Sequence, residues 1–441
     1  MLDTTPTYNL GAVLRETGLK ADTLRAWERR YGLPRPARSL GGHRLYSQRD
    51  IETLKWFVAR QGQGLSISRA VALWRQLENE GQDPLLEPAY ALVDTRMSPI
   101  GARAETLDEL RQAWLASCLA FDEAEAEQVL ASAFALYPVE TVCFEILLHS
   151  LATAGDKWYR GHITVQQEHF VSELSVRRVE AVLSATPPPT RAGRIIVGCA
   201  PEDSHTFVPL LLTLLLRQRG WEVIYFGARV PADRLAETVA EVKPHLAILT
   251  AQQLGSAATL TDVADALQVT RVPLAYGGRI FNLQPNLRKR VTGHFLGERI
   301  ETAPALVEQL QHSRSLPTPA VDVPDGYRQA LGVFRERQML IESETWRRQE
   351  ASGILPDHLA IANEVLGRSI GAALRLGDIG LLRTDIEWIA GLLANYRMPT
   401  ELLHQYLRTY REVAKALLGE QCAEVVGGLE RIELQAVHET E

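Results

Sequence analysis

Between residues 193 and 312, five short apolar runs alternate with amphipathic ones, and this alternation narrows the possible folds more than any other feature of the chain. The runs are Ile195–Cys199, Glu222–Phe226, Leu246–Thr250, Pro273–Tyr276 and His294–Leu296. Parallel strands need a crossover between neighbours, usually a helix, so the pattern predicts a doubly wound parallel sheet of flavodoxin-like type. Ligands of such sheets bind outside the carboxyl ends of the strands. The turn after the first run holds Glu202-Asp203-Ser204-His205, and the fourth run ends in Gly277-Gly278, so both lie on one rim. A histidine there can ligate a transition metal through one ring nitrogen, while a carboxylate two residues earlier accepts the other N–H and raises its basicity. The glycine pair allows close backbone approach to a bulky ligand, or equally a tight turn.

At 441 residues the chain is long enough for three or four domains. Its 46% hydrophobic and 23% charged content is that of a soluble globular protein. No apolar run approaches the roughly 20 residues that span a bilayer, and the first residues lack a signal-peptide core. A cytoplasmic protein without a membrane partner is expected. The cysteines, Cys118, Cys143, Cys199 and Cys422, show no CxxC spacing, which argues against a zinc site or disulfide framework. The net charge of −7 hides an asymmetry: residues 1–80 carry 13 Lys+Arg against 8 Asp+Glu, a balance of +5 that leaves −12 for the remainder. Only the amino-terminal segment suits a phosphate-binding surface.

That segment reads as a helix-turn-helix, with helices over Tyr8–Arg15 and Lys20–Arg30 broken at Thr17-Gly18. Arg25 and Arg29 share a face of the second helix, where arginine can pair with phosphates or guanine edges. The glycine- and proline-rich stretch 34–50 then forms a wing-like loop. Thr23-Leu-Arg-Ala-Trp-Glu28, followed by Gly42-His-Arg-Leu-Tyr46 and a helix pair over 51–77, closely resembles the MerR family of transcription regulators. The resemblance implies DNA contacts from Arg25, Trp27, Arg44 and Tyr46, a supporting role for His43, and a homo-oligomer, at least a dimer, on a double-stranded DNA operator. The cysteine ligands of MerR metal sensors are missing.

Residues 1–80 thus form a DNA-binding domain and 81–102, with its prolines, a linker. Residues 103–185 show helical spacing throughout and suit a bundle of about four helices. The bundle carries Trp158, then nine residues, then Glu168-His169. The Asp203-x-His205 motif with Gly277-Gly278, over 191–314, resembles the cobalamin-binding domain of methionine synthase and the mutases, in which the histidine replaces the cofactor's own base beneath cobalt. The resemblance makes Asp203, His205, Thr250, Gly277 and Gly278 cofactor-binding residues, with His205 the cobalt ligand. Val208 stands where that pattern has glycine, and Thr250-Ala251-Gln252 where it has Ser-x-Leu. Trp158 is then a flat lid over the corrin, with Glu168 and His169 near the group above it. MerR domain, bundle and cobalamin fold in this order resemble the CarH/LitR group, light-responsive regulators that hold adenosylcobalamin. In the light sensors of that group a histidine that captures cobalt after photolysis follows the tryptophan. Here the residue is Tyr159, a poor cobalt ligand unless ionised, and His162 is a weak substitute; the chain is expected to bind a corrinoid but to signal differently.

Residues 326–437 are again helical, with Trp388, Leu392 and Asn395 opposite the apolar Ile386, Ile389 and Leu393. On the residues alone this is a bundle for packing or self-association. Asp385-x-x-Trp388 with Arg397-x-Pro399 resembles helical tails that house a bilin, which implies biliverdin as a second chromophore touching His358, His404 or Arg397. The fold class expected overall is multidomain α and α/β. The function expected is a non-enzymatic, cobalamin-dependent regulator whose corrinoid state controls oligomerisation and operator binding. The alternatives are a corrinoid-independent regulator or scaffold with a degenerate sheet domain and, less favoured, a corrinoid methyltransferase or mutase component, for which no barrel-sized segment is left.

Overall fold

The structure, a computed structural model, describes residues 5–19, 21–38, 44–62, 67–79, 83–85, 106–313, 318, 320–350, 356–419 and 422–438. The linker expected over 81–102 falls almost wholly outside them, as does His43. The chain divides into two units, Met1–Ala152 with Ser184–Pro187, and Thr153–Leu183 with Pro188–Glu441.

In the first unit, β1 (Tyr8–Asn9) leads into α1 (Leu10–Thr17). Asn9 caps α1 by accepting from the Ala12 N–H, and Gly18 ends it in the left-handed region, the reason a glycine stands there. Then come α2 (Ala21–Tyr31), β2 (Ala37–Arg38), β3 (Arg44–Tyr46), α3 (Gln48–Gly62) and α4 (Ile67–Asn79). The three strands pair antiparallel in the order β1-β3-β2, which is the wing. Leu24 and Trp27, three apart on α2, face a core with Leu54, Phe57 and Trp74. Two residues expected to contact DNA are part of this core. Trp27 is 6% exposed and sits edge-on to Phe57, and Tyr46 is fully buried, because the apolar stripe of α2 needs both to close the core beneath the wing. Arg25 and Arg29, on the other face of α2, are exposed.

The helical region follows with α5 (Leu107–Leu119), α6 (Glu123–Leu136) and α7 (Val139–Thr141), which continues through a π-wound stretch (Val142–Leu148) into α8 (His149–Tyr159) and then α9 (Val165–Ser184). Thr106 and Glu109 form a reciprocal capping box at the start of α5.

The second unit is built on β4 (Arg194–Cys199), α10 (Phe207–Gln218), β5 (Glu222–Gly227), α11 (Leu235–Val242), β6 (Leu246–Thr250), α12 (Leu254–Thr270), β7 (Leu274–Gly277), α13 (Arg279–Leu283), β8 (His294–Phe295) and α14 (Ala303–Ser313). All five strands are parallel, in the order β5-β4-β6-β7-β8, so the strand order reverses between β4 and β6. Alternation sends Ile195, Val197 and Ile248 to one face, packed with Leu212, Leu216 and Val307 of α10 and α14. Ile196, Ala247, Leu249 and Tyr276 go to the other face, with α12.

The carboxyl-terminal helices are α15 (Asp325–Gln349), α16 (Pro356–Arg375), α17 (Leu382–Asn395), α18 (Thr400–Leu418) and α19 (Ala423–His438). They do not form a core of their own. Phe334, Ile341, Ile370, Leu374 and Tyr410 belong to the same buried cluster as Ile196, Leu249 and Leu260. Helix α12 is apolar on more than one side for this reason: part of it packs on strand residues and part on α16, where Arg375 donates to the Thr261 hydroxyl (2.9 Å). Among the described residues no helix is long and apolar enough to cross a membrane.

Candidate functional site

The reversal of strand order places the ends of β4 and β6 side by side, and Asp203 joins their loops. The Ala200 N–H donates to the Thr250 carbonyl (2.8 Å), which brings the two strand ends into register. The Asp203 carboxylate, 2% exposed, accepts from the Gln252 backbone N–H (2.6 Å), the His205 backbone N–H (2.9 Å) and His205 Nδ1 (2.8 Å). A buried carboxylate with these neighbours is ionised, so Nδ1 carries the proton, and in the neutral imidazole Nε2 is left as an acceptor. The His205 side chain is 54% exposed. Burial alone would raise the Asp203 carboxyl; the hydrogen bonds from His205 and Gln252 outweigh it and hold the group below the usual range. The bond to Asp203 raises His205 against the opposing effect of burial, with Glu168 adding in the same direction.

Glu168, in the first turn of α9, is thus within electrostatic reach of His205. Its carboxylate also meets His169 Nδ1 at 2.8 Å, and the His169 ring is largely exposed. The two rim glycines differ. Gly278 has φ 121°, and a Cβ there would lie inside van der Waals contact of the Ala251 carbonyl, so packing between the β6 and β7 turns requires it. A Cβ on Gly277 would meet nothing within 4 Å. Thr250 is buried under the rim, beside the Cys199 thiol. Val208 is half-buried in the first turn of α10. The rim thus offers one oriented imidazole with an anionic partner behind it and a glycine with open space beside it, which suits a single axial bond to a metal whose other ligands come from a cofactor.

Trp158 and Tyr159 at the end of α8 are held by α17. The Tyr159 ring stacks on Trp388 (centroids 5.6 Å, planes 26° apart), and its hydroxyl donates to the Trp388 carbonyl (3.2 Å). Trp158 lies 6.1 Å from the same indole, and its carbonyl accepts from the Tyr396 hydroxyl (3.1 Å). Asn395 Nδ2 donates to the Tyr159 carbonyl (3.1 Å). A Cβ on Gly391 would collide with the Tyr159 hydroxyl, so α17 has glycine where the ring enters. Trp388, Gly391 and Asn395 of α17 meet Tyr159; the sequence pattern set Trp388, Leu392 and Asn395 apart from the apolar face but gave neither Gly391 nor the partner. Of the residues expected around a bilin, His358 is exposed on α16, His404 half-buried on α18, and Arg397 exposed in the turn after α17 with φ 57°. Asp385 accepts from Ser369 (2.8 Å).

On the DNA-binding module, Glu28 of α2 reaches the wing, accepting from Arg44 Nε (2.9 Å) and the Tyr46 hydroxyl (2.6 Å). Glu28 closes the Thr23–Glu28 motif, but no role had been assigned to it from the sequence.

Residues 8–77 match the family of MerR HTH regulatory proteins, and residues 110–183 and 193–307 each match a family described as B12 binding domain. Fold and matches together define a DNA-binding regulator with a cobalamin-binding part. The chain is 32% identical over 297 residues to the HTH-type transcriptional repressor CarH of Myxococcus xanthus, a span of 66% of this chain and 96% of that one. It is 33% identical over 246 residues to the HTH-type transcriptional repressor CarA of the same organism, covering 55% and 76%. The monomethylamine corrinoid protein of Methanosarcina barkeri is similar over 46% of this chain and 96% of its own, at 20% identity and a TM-score of 0.39. The chain belongs to the CarH-like family of MerR-type, cobalamin-binding transcription regulators.

Proposed function

We propose that this regulator acts in the cytoplasm as a homo-oligomer on an operator, and that the state of a bound corrinoid sets its DNA affinity without catalytic turnover. The observation that carries the reading is the Asp203–His205 pair, in which the bond at Nδ1 favours the tautomer protonated there and the His205 side chain is about half-exposed at the switch point of the sheet. His205 would hold cobalt from below, Gly277 would admit the ligand along the rim, and Trp158 with Glu168 and His169 would face it from α8 and α9. Adenosylcobalamin, the form proposed, supplies a light-sensitive cobalt–carbon bond.

Tyr159 does not serve as a second cobalt ligand in this reading, because its hydroxyl is committed to the Trp388 carbonyl and its ring to the Trp388 indole. Instead α8 passes a displacement of Trp158 to α17 through Trp388. Arg25, Arg29 and Arg44 face the DNA, the last held in place by Glu28.

The test is an absorption spectrum of the purified chain with adenosylcobalamin before and after green light, alongside operator binding. A bound corrinoid band lost in His205→Ala, together with a change in operator affinity, is expected. Absence of any bound band sinks the proposal. Biliverdin in the helical module is a separate part of it: a red absorption band should form with the pigment and weaken in Arg397→Ala.

A further inference from the structure

A cleft of about 580 Å³ opens between α12, α15 and α16, with the loops after β4 and β5 contributing to its wall. Four arginines line it, Arg229, Arg335, Arg368 and Arg375, against two carboxylates, Glu202 and Glu364. The surplus is two positive charges, or one once the pairing of Arg375 with Asp262 is counted. Arg375 is already committed, since it also donates to Thr261. Arg368 pairs loosely with Glu364, 3.9 Å away, and also acts on the Asp385 carboxyl. Among the described residues the guanidinium groups of Arg229 and Arg335 have no hydrogen-bond or ion-pair partner.

These three cations, Arg229, Arg335 and Arg368, come from three different elements, the loop after β5, α15 and α16, and converge on one space that holds two carboxylates, an excess of one positive charge. Convergence of like charges costs energy that a bound anion turns into attraction. Two further observations agree. Glu202 (φ 66°) and Arg229 (φ 50°) both occupy the left-handed region, where a side chain is disfavoured by about 1–2 kcal/mol, so the conformation is kept although glycine would be easier. Glycine lines the cleft elsewhere: a Cβ on Gly371 would meet nothing within 4 Å, and one on Gly255 would come 3.6 Å from Arg368. The volume lies within the roughly 300–1,000 Å³ of small-molecule sites. Neither His205 nor Gly277 lines the cleft, although Arg229 donates its backbone N–H to the Asp203 carbonyl (2.9 Å).

We infer that this cleft binds a phosphorylated small molecule of nucleotide size, at a site separate from the rim around His205. Phosphate is favoured over carboxylate because three guanidinium forks from three directions suit a group with three terminal oxygens, and the first turn of α12 adds backbone N–H groups at Gly255.

The full-length chain is titrated calorimetrically with pyrophosphate, ATP and citrate at ionic strength matched with KCl. Saturable binding of pyrophosphate or ATP is expected, with affinity at least tenfold weaker in Arg335→Gln and in Arg368→Gln. Arg383→Gln, on α17 and outside the cleft, should bind as the parent does, and circular dichroism of all variants should match. No saturable binding by any of the anions overturns the site, as does equal binding by both cleft variants. Citrate binding as tightly as pyrophosphate overturns the assignment to phosphate. Cobalamin uptake is recorded on the same samples, so a failure of the corrinoid reading registers separately.

Discussion

Asp203 holds three donors with two oxygens, and each bond has a different consequence. The Gln252 bond ties two strand-end loops, the backbone bond to His205 shapes the turn, and the ring bond selects the tautomer. Because that ring bond raises His205, its contribution to stability is complete below the unfolded histidine pKa of about 6.5 and is lost as pH rises through the folded value. Asp203 is held low, so its share is present above the unfolded carboxyl pKa of about 3.9 and disappears as pH falls through the folded value. The pair therefore stabilises the loop most between these limits. In the cofactor-free protein, a His205 ring titration followed by NMR should show a midpoint above 6.5, moved downward in Asp203→Asn. An unchanged midpoint would mean that the carboxylate does not govern the imidazole. At Gly391, alanine should force the Tyr159 ring from its place and destabilise the unit by about 1–3 kcal/mol, seen as a lowered thermal midpoint with changed tryptophan fluorescence.

At the scale of elements, the proposed function depends on two contacts. The wing is fixed to α2 through Glu28, and Tyr46 is fully buried with its hydroxyl on that carboxylate. Glu28→Ala should leave the phenol without an acceptor and cost about 1–3 kcal/mol, with a looser wing and weaker operator binding in a gel-shift titration. The second contact is α17 on the end of α8. The Trp388→Ala variant should still fold, since Trp388 is 38% exposed, but should lose coupling between the corrinoid state and operator affinity while retaining pigment. Equal coupling in variant and parent would remove α17 from the signalling route.

At the scale of the molecule, the carboxyl-terminal helices and the sheet share one buried cluster. Removing residues after 320 would therefore strip Ile370 and Leu374 from α12 and expose apolar surface rather than excise a free module. The truncated chain should be poorly soluble or bind a hydrophobic dye, and a soluble product with the parent's thermal midpoint would contradict the shared core. For the same reason a point variant serves better than truncation in testing for a bilin.

The alternating runs of 193–312 were legible as parallel strands, and the observed Arg194–Cys199, Glu222–Gly227, Leu246–Thr250, Leu274–Gly277 and His294–Phe295 lie within a residue or two of expectation. Local spacing carries that information, because period and apolar content are properties of a few consecutive residues. The helix-turn-helix motif and the Asp-x-His turn were legible for the same reason. What spacing could not supply was the partner of each side chain. The motif resemblance gave Trp27 and Tyr46 as DNA contacts with no sign of their burial, and the Trp388 stripe had no meaning until Tyr159, 229 residues away in sequence, was stacked against it. The sequence by itself determined the elements, the order of the modules and the chemistry of the rim. Only the tertiary structure decided which aromatics are core, that sheet and tail share one interior, and where arginines from three segments meet, since burial and charge convergence depend on contacts between segments distant in sequence.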